Sequence, residues 1–215
     1  MNTKKKHVVD PQQFLVDYFS KYHEALLKLD VSSKLIELKE MMIECHAKGN
    51  KTIIVGNGGS AAIASHCSVD FNKAAGVRCM NFNESSLITC LANDYGYEAW
   101  VAKALEFHAK SGDLVILISS SGKSSNMICG ADYALSHGMM VVTLTGFALN
   151  NPLKSRGHVN LWIDSSSYNF IECFHQLWLL AVCDLIAESR SMTSNPSSKK
   201  HTKIQTVSPS MPTAA

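Results

Sequence analysis

The sequence predicts an α/β protein. It reads as a three-layer, Rossmann-like parallel sheet flanked by helices, with two extra helices at the N-terminus. Two observations carry this. Short apolar runs alternate with helical segments, the pattern of a parallel sheet covered on both faces. The loops that follow those runs are Gly-, Ser- and Asn-rich, as ligand loops of such sheets are.

The elements follow in order. From Pro11 to about Leu29, Phe14, Leu15, Tyr18, Tyr22 and Leu26 recur at helical spacing. Asp30 or Ser32 starts a second helix through Leu35, Leu38, Met41, Met42 and Cys45, ended at Gly49. Strand-like runs follow at Thr52–Val55, Val77–Phe82, Leu114–Ile118, Met140–Thr145 and Leu161–Ile163. Helices fall between them: Ser60 to Lys73, Glu84 to Ala109 with a break near Asp94–Gly96, and Ser124 to His137 before Gly138. A last helix spans about Tyr168 to Ser189.

Composition narrows the classes. The 215 residues are 46% hydrophobic and 18% charged, as in a soluble globular protein. No apolar run reaches a membrane span, and the basic start lacks the apolar core of a signal peptide. A cytoplasmic protein with no membrane partner is expected. Seven scattered cysteines, none in a CxxC pair, read as buried thiols. Six of the 20 basic residues and one of the 18 acidic ones lie outside 11–190, leaving 14 basic against 17 acidic. A mildly acidic domain argues against a nucleic-acid face. Residues 1–10 read as a flexible start, 11–190 as the domain, and 191–215 as a disordered basic Ser/Pro-rich tail.

Two loops point to chemistry. Gly56-Asn57-Gly58-Gly59-Ser60-Ala61 fits G-x-G-x-x-G/A, but no acidic residue closes the second strand where a dinucleotide ribose needs one. A nicotinamide enzyme rests on this fingerprint alone, and no Walker loop is present. The stretch LVILISSSGKSSN is more specific. Ser119, Ser120, Ser121, Ser124 and Ser125 fall within seven positions between a strand and a helix. Helix N–H groups and hydroxyls together suit a phosphate monoester, with Lys123 adding charge. A helix cap alone needs one serine, not five.

These motifs, GNGGSAA…H, ANDYGY and ISSSGKSSN in that order, resemble the sugar isomerase (SIS) domain. Within it the chain most resembles the phosphoheptose isomerase family, which interconverts sedoheptulose 7-phosphate and a mannoheptose 7-phosphate. The resemblance covers Phe14 to Ile186. It implies phosphate binding by Ser119, Ser120, Ser121 and Ser124, and sugar contacts at Asn57, Gly58, Gly59, Asn93, Asp94 and Glu172. It implies a sugar phosphate in heptose or surface-polysaccharide synthesis, no nucleotide cofactor, and a homotetramer built on the two leading helices.

The family binds zinc through a His, a Glu four residues later, and a Gln and a His eight apart on the last helix. Here His66, Asp70 and Glu172 take the first three positions and Leu180 the fourth. The implied zinc set is His66, Asp70 and Glu172, with Asp70 and Glu172 as catalytic acid/base candidates. His175 is a lesser candidate replacement. The loss at Leu180 keeps a second reading open: a non-catalytic phosphosugar-binding SIS module acting through protein partners, like the bacterial DnaA initiator-associating protein. Convergence of His66, Asp70 and Glu172 favours the enzyme; a Leu180 packed as core favours the module.

Overall fold

The computed structural model describes residues 9–194. The helices are α1 (Pro11–Lys28), α2 (Ser32–Ala47), α3 (Gly59–Lys73), α4 (Ser85–Tyr95), α5 (Trp100–His108), α6 (Ser125–Ser136) and α7 (Tyr168–Ser194). The strands are β1 (Thr52–Gly56), β2 (Cys79–Asn81), β3 (Leu114–Ser119), β4 (Met140–Thr145) and β5 (Val159–Trp162). They form one parallel sheet in the order β2-β1-β3-β4-β5.

The two-residue side-chain period of a strand divides the core. Ile54, Ile116, Ile118, Val142 and Leu144 face a layer containing α2, α3 and α7. Ile53, Val55, Val115, Leu117 and Val141 face the layer of α4, α5 and α6. β1 and β3 are buried along their whole length, which explains their uninterrupted apolar sequences. The start of each is tied by Asp113, whose carboxylate is fully buried and accepts Lys51 Nζ at 2.6 Å, Lys51 N at 3.0 Å and Lys110 N at 2.9 Å.

Several boundaries differ from the sequence expectation. β2 is shorter at both ends than Val77–Phe82, because this edge strand has one neighbour and pairs only from Thr52↔Cys79 to Ile54↔Asn81. β5 starts two residues earlier, where Val159 meets Val142. The break in the long third-layer helix falls at Gly96, with φ of 86°. Asp10 belongs to the ordered domain, since its carboxylate caps α1 through Gln12 N. Helix α7 continues through Ser194, four residues into the segment expected as tail. Residues 1–8 and 195–215 lie outside the described residues.

Two helices need comment. The stretch Tyr168–Ser191 of α7 is long and apolar enough to cross a membrane by length and composition, contrary to the sequence expectation. Half of its most apolar window is buried within this fold, against α2 and α3, as in the core helix of a globular domain. α1 has no buried residue, although Phe14, Leu15, Val16, Phe19 and Leu27 are all more than half exposed.

Candidate active site

The sheet order reverses between β1 and β3: from β1 the chain crosses to β2 on one side, and from β3 to β4 on the other. A crevice opens beyond the carboxyl ends at such a point. The glycine turn after β1 and the serine loop after β3 meet there. They line a recess of about 110 Å³, formed by Asn57, Ser60, Ser119, Ser120, Ser121 and Ser124, with Tyr168 and Glu172 of α7 at its side.

The recess is lined by neutral hydrogen-bonding groups and contains no charged donor. Neither α3 nor α6 has a side-chain cap at its N-terminus. Ser124 stands at the cap position of α6, yet its Oγ pairs with Ser119 Oγ at 3.3 Å. Its hydroxyl is therefore not spent on capping. Ser120 is 5% exposed and its hydroxyl has no partner. A buried orphan hydroxyl is costly unless a ligand completes it. Lys123 is exposed and does not line the recess.

Gly58 and Gly59 serve distinct needs. Gly58 holds φ of 55° where the chain turns into α3. A Cβ on Gly59 would collide with the Glu172 carboxylate, so that carboxylate rests against the turn in space a side chain here would take. Burial raises the Glu172 carboxyl above its ordinary value, and no cation is among the causes. Glu172 also lines a larger cleft of about 360 Å³ with Gly59, Ala62, Asn169, Cys173 and Gln176. It therefore stands where the anion recess and the cleft adjoin.

The implied zinc set does not assemble. His66 Nε2 lies 3.0 Å from Asp70. Its Nδ1 lies 3.0 Å from Gln176 Nε2. With the glutamine as donor, Nδ1 accepts, and Nε2 carries the proton to Asp70. Glu172 faces the glycine turn instead, and no group of three or more His, Cys, Asp or Glu that could hold a metal occurs among the described residues. The physical reason is the crossing of α3 over α7, which sets His66 against Gln176, one helical turn beyond Glu172. The residues present do not fit zinc. Leu180 packs, partly buried, against the core.

His175 is not a substitute ligand. It is fully buried, with Nε2 3.2 Å from the Thr145 carbonyl and Nδ1 without a partner. Burial pulls its pKa down to about 4. The unfolded chain takes up this proton near 6.5, so the stabilisation is full above 6.5 and lost as pH falls towards 4. Urea titrations of the parent and His175→Gln should diverge over that window, the parent losing on the order of 3 kcal/mol more.

Asn93 and Asp94 are exposed at the end of α4, bonded to each other at 2.9 Å, and are not among the residues lining the recess. Glu84 caps α4 through Ser86 N and Leu87 N. Five site residues were not expected from the sequence: Ser60 and Tyr168, which line the recess, and Asn126, Tyr97 and Gln176. Asn126 and Tyr97 both hydrogen-bond Asn57, and both lie in quoted motifs, at the end of ISSSGKSSN and of ANDYGY. Gln176 carried only the weak signal of lying four residues after Glu172.

Fold and recess define the class of protein: an α/β sugar-isomerase-type domain with a serine-lined recess at its switch point. Residues 17–146 match the SIS domain family model. The phosphoheptose isomerase of Shewanella sediminis is 34% identical over 177 residues, covering 76% of this chain and 89% of that one. That of Shewanella frigidimarina is 34% identical over 175 residues, covering 74% and 87%. The structure of phosphoheptose isomerase from Neisseria gonorrhoeae superposes with a TM-score of 0.75 at 27% identity, covering 81% of this chain and 98% of that one. The Francisella tularensis phosphoheptose isomerase shares the fold, with a TM-score of 0.78 at 22% identity, covering 84% and 100%. The chain belongs to the phosphoheptose isomerase family of SIS domain proteins.

Proposed function

We propose that this protein is an aldose–ketose isomerase of phosphosugars, acting on sedoheptulose 7-phosphate in heptose synthesis. The observation that carries the reading is the serine recess with its orphan Ser120 hydroxyl, directly beside Glu172. The phosphate takes the hydroxyls of Ser119, Ser120, Ser121 and Ser124. Its charge is met by neutral donors and helix N-termini, without a cation. The sugar extends past the glycine turn towards the cleft.

Isomerisation moves a proton between adjacent carbons through an enediolate. Glu172 is the base: it takes the proton from the carbon beside the carbonyl and returns it to the neighbouring one. A carboxyl with a raised pKa is a stronger base than an exposed one, and a bound phosphate raises it further. Asp70 is assigned to orienting His66 rather than to proton transfer.

The homotetramer is part of this reading. An 18-residue helix with no buried residue and Phe14, Leu15, Phe19 and Leu27 in solvent needs a partner surface. Assembly also supplies a role for Asn93 and Asp94, which reach a neighbour's site. Light scattering should give an oligomer for the parent, and Phe14→Glu with Phe19→Glu should shift it towards monomer. An unchanged mass would remove α1 from the interface.

The test of function is direct. The purified protein is incubated with sedoheptulose 7-phosphate, with zinc and with chelator, and aldose formation is followed. Product is expected in both. No product in either overturns the isomerase reading and leaves the binding module, which the packing of Leu180 would suit.

A further inference from the structure

The turn Gly56-Asn57-Gly58-Gly59 is three-quarters glycine, so beyond its backbone bonds into α3 its own side chains restrain it little. Side chains from other elements hold it as well. Asn126, 1% exposed in the first turn of α6, forms a reciprocal amide pair with Asn57: Asn126 Nδ2 donates to Asn57 Oδ1 at 2.9 Å, and Asn57 Nδ2 donates to Asn126 Oδ1 at 3.0 Å. Tyr97 Oη adds a second donor to Asn57 Oδ1 at 3.1 Å. Three elements thus meet on one side chain: the β1–α3 turn, the helix that follows the serine loop, and the α4–α5 break.

We infer that Asn126 and Tyr97 are positioning residues that set the distance between the glycine turn and the serine loop, and so place the sugar against Glu172. This rests on the isomerase reading for its substrate. Both lone pairs of Asn57 Oδ1 are taken, so the side-chain carbonyl has no capacity left for a sugar hydroxyl. Asn57 is the clamp point of the brace, and the backbone of the turn faces the substrate. The amide pair needs a donor and an acceptor from each partner, which a carboxylate at 126 cannot supply.

The experiment uses the full chain with Tyr97→Phe and Asn126→Asp. Tyr97 is about half exposed, so its variant removes one hydroxyl without disturbing the core. Tyr97→Phe should lower kcat/KM for sedoheptulose 7-phosphate about fivefold, the worth of one hydrogen bond, through both KM and kcat, with melting temperature unchanged. Asn126→Asp should lower it by more than tenfold, since a donor is lost and two acceptors are left facing each other. Hydrogen exchange of the 56–62 backbone, measured with inorganic phosphate bound, should speed up in both. Unchanged kcat/KM with faster exchange reduces the brace to a merely structural role and overturns the proposal, as does unchanged exchange. If the parent shows no turnover, the isomerase reading fails on its own, and the exchange result still decides whether the brace exists.

Discussion

Glu172→Gln is expected to abolish isomerisation while making the protein more stable. The amide keeps the shape and the contact with Gly59 but cannot take a proton. A general base contributes about 10² to 10⁴ in rate, so kcat should fall by that factor with KM changed far less. The stability gain follows from linkage. The folded carboxyl binds its proton more tightly than the unfolded one, because burial disfavours the charge. Stability from this group is present at low pH and lost as pH rises through the folded value; glutamine carries no such loss. The variant should therefore melt higher at neutral pH and equal to the parent in acid. In the parent, the acid limb of kcat/KM should lie above 4.5, the ordinary value for this carboxyl. A rate unaffected by the substitution removes Glu172 from the mechanism.

Lys51→Met is expected to give the largest loss of stability. Asp113 is completely buried at the start of β3, and Lys51 Nζ is its cation at 2.6 Å. Removing one partner of a buried pair leaves an uncompensated charge and costs about 3 to 5 kcal/mol. Two backbone donors remain on Asp113, from Lys51 N and Lys110 N, which places the loss near the lower end. Adding Asp113→Asn should recover much of it, since the amide oxygen still accepts a backbone N–H without the charge. The pair lies at the opposite end of the sheet from the serine loop, so kcat should not change below the melting range. Urea denaturation measures the loss, and one below about 1 kcal/mol would mean that the pair behaves as a surface pair.

The comparison between sequence and structure turns on particular residues. The serine loop was legible because its chemistry is local. Strand end, loop and helix start are contiguous in ISSSGKSSN. The glycine turn was legible for the same reason. His66 and Asp70 were correctly paired on one face, because four residues make one helical turn. Their partner was not. Gln176, rather than Glu172, meets His66, since the crossing of α3 over α7 decides which turn of one helix faces which turn of the other. A motif transferred position by position cannot register that offset.

The sequence by itself determined the parallel α/β architecture, the two leading helices, the place of the serine loop and the family, because apolar period, turn glycines and clustered serines act over a few residues. Only the tertiary structure decided that Glu172 stands between recess and cleft, that His175 is buried and neutral, and that Asn57 is clamped by Asn126 and Tyr97. Those contacts join residues 30 to about 115 positions apart, and their partners are chosen by how helices pack on the sheet, which no local pattern specifies.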